Sequence, residues 1–182
     1  LDRDVADEHR IRRYGFHGLS HSYASRRAAE LVDRPVDGLR VVSCHLGAGA
    51  SVCAVRSGRS VDTTMGFTPL DGLVMATRSG SVDPGLVLWL VEQANVPAHE
   101  VSHALEHRSG LLALAGTSDL RLIEQADAPG DQRAQLALDV YVHSVVAGIA
   151  AMAAAIAGLD VVAFTGGVGQ NSALVRERVA RR

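Results

Sequence analysis

His45-Leu46-Gly47-Ala48-Gly49-Ala50 lies between two apolar runs and is the stretch best able to meet a ligand with its backbone. Its small residues allow close approach, and glycine takes positive φ readily. Amides left unpaired in such a turn can point at an anion, most naturally a phosphate. A tight hairpin with no ligand explains the same residues. Arg78, between Thr77 and Ser79-Gly80, carries a planar guanidinium that can fork onto an oxyanion; a surface or salt-bridged arginine is the alternative. His17 is bracketed by Gly15 and Gly18, which suits a loop that fixes one side chain. Asp160-Val161-Val162-Ala163-Phe164-Thr165 predicts a buried strand, followed by the glycine loop Gly166-Gly167-Val168-Gly169-Gln170-Asn171-Ser172 and a helix. That order suits a nucleotide, because glycines admit the ligand and a helix start favours negative charge. It has neither the Gly-Lys-Ser/Thr of a Walker A loop nor GxGxxG spacing. His99, His103 and His107 share one helix face at metal-binding spacing. Glu106 and the other polar neighbours suit a solvated face better.

The elements that position these residues follow from period and punctuation. Leu39 to Leu46 and Ser51 to Val55 predict a hairpin of two buried strands. A turn centred between Ala48 and Gly49 sets Leu46 opposite Ser51 and Cys44 opposite Cys53. Val42, Cys44, Leu46, Cys53 and Val55 then share one face, and His45 takes the other. A helix over about 20–32 is capped by Ser20 and striped by Tyr23, Ala24, Ala28 and Leu31. Ser57-Gly58 turns into a third strand over about 60–64, completing a meander. Residues 65–84 read as a long ordered loop of the functional kind. Asp83-Pro84 opens a helix, and a second spans about 98–107. Leu111 to Gly116 is a short apolar segment, Thr117-Ser118-Asp119 starts a helix to about Ala126, and Pro129-Gly130 breaks it. One long helix covers 131–157 with Gly158 as its cap. Its small apolar second half is too short to span a membrane and suits close burial or a dimer seam.

Composition sets the frame. The 182 residues are 47% apolar, 21% charged and near neutral at −2, an ordinary globular balance. Nothing in it favours nucleic acid or a membrane surface. Two cysteines make no disulfide framework and read as buried thiols in a reducing cytosol. No signal peptide is patterned at the start. The chain opens on Leu1 and ends inside a predicted helix, so a piece of a longer chain is expected.

Four separated motifs agree with one family. They are Arg13-Tyr14-Gly15-Phe16-His17-Gly18 with Ser20-His21; Cys44-His45-Leu46-Gly47; Met65-Gly66-Phe67-Thr68-Pro69-Leu70 running to Thr77-Arg78-Ser79-Gly80; and Phe164-Thr165-Gly166-Gly167-Val168-Gly169. Together they resemble acetate kinase, in the family's order and over nearly the whole chain from about Arg12. Propionate kinases share the patterns. The resemblance implies an α/β, RNase H-like domain of the actin/sugar kinase/Hsp70 superfamily, with a mixed sheet and flanking helices. It implies a single nucleotide-binding domain over 1–182 and reversible phosphoryl transfer from ATP to acetate, giving acetyl phosphate and ADP. By position, His17 and Arg78 match the residues that stabilise the transferring phosphoryl group. His45, Leu46, Gly47, Ala48 and Gly49 match the phosphate loop. Asp119, Leu120 and Arg121, with Gly167, Val168, Gly169, Gln170 and Asn171, match the adenosine side.

Three positions depart from the family. Ala48 stands where Asn is usual and removes an amide donor, Gln170 stands for Glu, and Leu19 for Thr. Family members are about twice this long, so the resemblance implies the C-terminal, nucleotide-binding half. The magnesium-side Asn and Glu, a substrate Arg and a catalytic Asp then lie outside the chain, which should be inactive alone. A cytoplasmic homodimer is implied, with no nucleic acid or membrane partner. A catalytically silent nucleotide-binding or dimerisation module is the alternative.

Overall fold

Valine-rich runs make the centre of the sheet. In the computed structural model, which describes residues 1–127 and 131–182, β1 (Arg40–Leu46) and β2 (Ala50–Arg56) are buried over nearly their whole length. β3 (Arg59–Thr63) continues the antiparallel meander. β4 (Val161–Thr165) joins the free side of β1 in parallel, giving the order β3-β2-β1-β4. Asp160 guides this pairing. Its carboxylate accepts from the Arg40 backbone at 2.9 Å and from Arg40 Nε at 3.0 Å. The carboxyl ends of β1 and β4 therefore lie together, with His45 opposite Thr165. Such an end is where α/β sheets accept ligands.

The hairpin register differs by one residue from the predicted one. Leu46 pairs with Ala50, His45 with Ser51, Cys44 with Val52 and Ser43 with Cys53. The turn is Gly47-Ala48-Gly49, centred on Ala48, and Gly47 N–H donates to the Gly49 carbonyl at 3.1 Å. A slip of one residue moves every β2 side chain to the other face. Val42, Cys44 and Leu46 thus share the main core with Ala50, Val52 and Ala54. Cys53 and Val55 join Val41 in a second cluster with Ala28 and Ala29. The two thiols do not face each other and both are free. His45 does take the face opposite Leu46, as predicted.

The helices follow their caps. α1 (Arg3–Glu8) starts on Asp2. α2 (Gly18–Leu31) starts earlier than predicted, with His17 as its N-cap residue. Ser20 is not the cap, because its hydroxyl is engaged by His45. The buried face of α2 is Ala24, Ala28, Ala29, His21 and Ser25, while Tyr23 and Leu31 are exposed. Small side chains let this helix lie close on the sheet. Residues 65–83 carry no helix or strand, as predicted. α3 (Pro84–Glu92) is capped by Asp83, and α4 (Ala98–His107) follows. The short apolar segment is a helix, α5 (Gly110–Ala115). Only glycine fits at its start: Gly110 has φ +61, and a Cβ there would sit 2.1 Å from the Met75 carbonyl oxygen. α6 (Leu120–Ala126) is capped by Asp119. The predicted break at Pro129-Gly130 lies outside the described residues.

α7 (Gln132–Ala155) starts on Asp131, which accepts from the Arg133 and Ala134 amides. It ends at Ile156, ahead of Gly158, because Ala157 already has positive φ. Taken whole, its 24 residues are long and apolar enough to cross a membrane by length and composition, which its apolar half alone does not suggest. In this fold Ala137, Leu138, Val142 and Val145 are fully buried in the main core beneath β1 and β2. The predicted glycine loop after β4 is instead a short helix, α8 (Gly166–Asn171), followed by α9 (Ala173–Ala180). A Cβ on Gly166 would lie 2.5 Å from the Leu46 carbonyl oxygen, so glycine lets α8 start directly on β4.

Leu138 is 0% exposed at the centre of this core. Leu138→Ala is predicted to destabilise the fold by about 2–5 kcal/mol, measured as a lowered urea midpoint with an unchanged slope.

Candidate functional site

His17 caps α2 in the left-handed conformation, with φ 59. A non-glycine residue there stores about 1–3 kcal/mol of strain, and the conformation carries the imidazole onto the hairpin. Its Nδ1 lies 2.9 Å from Ser51 Oγ, and its ring stacks on His45 at 4.1 Å between centroids. His21, one turn along α2, is buried between Ser43 at 3.0 Å and Ser51 at 2.8 Å. His45 Nδ1 is 2.8 Å from Ser20 Oγ. Arg78 comes from the long loop, where Nη1 donates to the Pro69 carbonyl at 3.2 Å. The loop is tied to the turn, since Ala76 N–H donates to the Ala48 carbonyl at 3.3 Å. These elements converge on Gly49. A Cβ placed there would have Arg78 Nη1 at 3.3 Å and His17 Nε2 at 3.4 Å.

The local charge is carried by one group. Burial first, then the charges of His45 and Arg78, lower His17 to a pKa of about 4. Burial, then His17 and His45, lowers His21 to about 4. Burial also lowers His45. All three imidazoles are therefore neutral at pH 7, and Arg78 is the fixed cation beside them. Gly47 N–H is engaged within the turn, so not all the turn amides are left for an anion. The amides of Ala48 and Gly49 have no backbone partner among the described residues.

A cavity of about 580 Å³ adjoins the other side of the turn. Of the predicted positions, Gly47, Ala48, Asp119, Leu120, Arg121, Gly167, Val168 and Asn171 line it. Asp119 holds Arg121 through Nε at 3.0 Å and Nη2 at 2.6 Å. Leu46, Gly169 and Gln170 do not line it. Leu46 is fully buried in the core. Gly169 packs against Phe164, and Gln170 gives its carbonyl to Arg176 at 2.7 Å. Sequence reasoning missed Ser118, Glu124, Tyr141 and Ser172 on the cavity wall. The Tyr141 hydroxyl is buried with no hydrogen-bond partner among the described residues. Its signal was a lone aromatic in a small-residue helix. Ser43 and Ser51 were also missed, though a serine inside an apolar strand is a visible anomaly. Among the described residues no group of three His, Cys, Asp or Glu is placed to hold a metal ion.

A mixed sheet whose parallel strand pair ends at a glycine turn, beside a cavity and a cationic point, defines an α/β domain with its candidate site at the carboxyl ends of β1 and β4. The acetokinase family profile matches residues 1–182, and the chain belongs to that family. It is 50% identical over 182 residues to an acetate kinase of Shouchella clausii, covering 100% of this chain and 46% of the relative. Its fold superposes on the crystal structure of Porphyromonas gingivalis acetate kinase with TM-score 0.94 and 44% identity, covering 98% and 45%. A propionate kinase from Francisella tularensis gives TM-score 0.92 and 39% identity, covering 98% and 46%. The fold is that of the actin/sugar kinase/Hsp70 class. The chain spans less than half the length of these relatives. These matches do not bear out the predicted placement in the C-terminal half; they show a segment just under half the family's length.

The histidines set a pH dependence. A folded pKa near 4 against about 6.5 unfolded means that the unfolded chain takes up protons first. Stability is full above about pH 6.5 and falls as pH drops toward 4. His21 alone accounts for up to roughly 3 kcal/mol, and half-exposed His17 for less. Urea midpoints measured at steps from pH 7.5 to 4.5 should fall across this window, and His21→Gln should flatten the fall.

Proposed function

We propose that this chain supplies the nucleotide-binding part of an ATP:acetate phosphotransferase. The observation that carries it is the convergence of His17 Nε2 and Arg78 Nη1 on one point beside Gly49, next to a cavity of nucleotide size. The described residues act as one nucleotide-binding domain. Adenosine sits between α6 and α8, against Asp119, Arg121, Gly167 and Asn171. The phosphate chain then runs to the turn, where Ala48 and Gly49 offer amides. Ala48 has no side-chain donor to add, so backbone contacts hold the phosphates.

The terminal phosphoryl group lies by His17 and Arg78. A carboxylate oxygen of acetate attacks phosphorus as the bond to ADP breaks. Charge spreads over the equatorial oxygens as the group passes between the two. Arg78 meets that charge with its guanidinium, and neutral His17 meets it with an N–H. Both are held before the reaction begins, which is where donors lower the barrier most. A bound magnesium would neutralise phosphate charge. Among the described residues no group of three His, Cys, Asp or Glu is placed to hold it, and its side-chain ligands would come from the family's remaining length. Family members' remaining length supplies what this chain lacks, so the chain alone is inactive. The acceptor pocket then lies largely elsewhere, and propionate is the competing acceptor, favoured by the likeness to a propionate kinase.

The two free, buried thiols support a cytoplasmic setting. Homodimerisation through a face of this chain is the accompanying proposal. It is supported by α3, whose Leu86, Leu88 and Trp89 are exposed.

Calorimetric titration of ADP onto the chain tests the proposal. Binding is expected, and Gly167→Trp should weaken it at least about tenfold. A Cβ at Gly167 meets nothing within 4 Å, and an unchanged urea midpoint checks that the variant is folded. No binding by the folded chain would favour a module that serves only assembly. In the intact enzyme, His17→Ala or Arg78→Ala should lower kcat by about 10²–10³, read by acetyl phosphate formation.

A further inference from the structure

The geometry points to Ser43, His21 and Ser51 as a buried one-way hydrogen-bond relay that holds His17 with its proton on Nε2, the nitrogen beside Gly49. The relay follows from counting donors. Ser51 is fully buried and has two partners, His17 Nδ1 at 2.9 Å and His21 Nε2 at 2.8 Å. A hydroxyl has one proton, so it donates to one ring and accepts from the other. His21 is neutral, so one of its nitrogens donates and the other accepts. Its Nδ1 meets Ser43 Oγ at 3.0 Å. The chain therefore runs in one of two directions, and all its protons reverse together.

Ser43 decides the direction. It is fully buried on β1, and His21 is its only hydrogen-bond partner among the described residues. If His21 donated to Ser43, the serine proton would be buried without an acceptor, which costs about 1–3 kcal/mol. If Ser43 donates, only a lone pair is left over. So Ser43 donates to His21 Nδ1, His21 Nε2–H donates to Ser51, and Ser51 donates to His17 Nδ1. His17 is then left with its proton on Nε2. The other groups facing His17 are the stacked His45 ring and Arg78, and neither enters the relay. The low pKa values of His17 and His21 keep both rings neutral at working pH, as the relay requires. Ser43, His21 and Ser51 are positioning residues: none reaches the point beside Gly49, and each acts through His17.

This inference rests on the proposed role of His17 as a donor to the phosphoryl group, but its test needs no nucleotide. Nitrogen-15 spectra of imidazole-labelled chain at pH 7.5 report which ring nitrogen carries the proton. His17 is expected as a single tautomer, with Nε2 protonated and Nδ1 bare. Ser43→Asp, two links away and not touching His17, puts an acceptor where the donor stood, so His21 Nδ1–H is favoured and the relay should reverse, with the Nδ1–H form of His17 appearing in a folded variant. Ser51→Ala removes the donor to His17 Nδ1 and should weaken the bias, and it serves where Ser43→Asp does not fold. His17 protonated on Nδ1, a mixture in the unsubstituted chain, or a tautomer unmoved by the folded variants would each overturn the relay. If ADP fails to bind while His17 holds its Nε2 proton, the kinase reading falls and the relay stands.

Discussion

Pairing Leu46 with Ala50 leaves three residues in the β1–β2 turn, and that count decides what each strand residue meets. With it, Ser43, His45, Ser51 and Cys53 face α2, while Cys44, Leu46, Val52 and Ala54 face the main core around α7. A two-residue turn would send Ser51 into the apolar core and take both His17 and His21 off their hydroxyl partner. The penalty for burying that hydroxyl without a partner and the loss of packing around Val52 act in the same direction. Both hold the register against slippage.

The site divides its work between backbone and side chain. The turn and α8 offer a close approach because their glycines bring no side chain, and the cavity wall behind them is largely apolar. Beside the turn, three neutral imidazoles pack with their serine partners, and His17 among them comes next to Arg78. A cluster of charged histidines would repel Arg78 and cost desolvation, and burial removes that conflict by keeping the rings neutral. The main core supports this arrangement from below. α7 packs under β1 and β2 through Leu138, Val142 and Val145, so the hairpin cannot shift without opening the largest apolar cluster.

Much of this was legible in the sequence. The alternation of Val42, Cys44 and Leu46 against His45 gave the correct faces of β1, and Asp83, Asp119 and Asp131 marked helix starts through their side-chain acceptors. The four family motifs singled out His17 and Arg78 although 60 residues separate them, and the fold brings both side chains beside Gly49. The errors have physical causes. Local pattern does not distinguish a two-residue from a three-residue turn when every turn residue is Gly or Ala. The αL conformation of His17 displaced Ser20 from its cap, and αL is rare for a side-chain-bearing residue. Gly166 to Asn171 read as a loop because glycines disfavour helix, but close packing of α8 on β1 overrides that propensity. Tyr141 and Glu124 reach the cavity from separate helices, a juxtaposition that only tertiary structure creates.

The central claim is that one path runs from the α6–α8 cavity across the turn to His17 and Arg78. Amide chemical-shift mapping with AMP, ADP and ATP in turn tests it directly. The path predicts that AMP perturbs Arg121 and Asn171, ADP adds Ala48 and Gly49, and ATP adds Gly18 and Arg78. Perturbations of the turn by AMP alone, or an ATP response that never reaches Arg78, would contradict it.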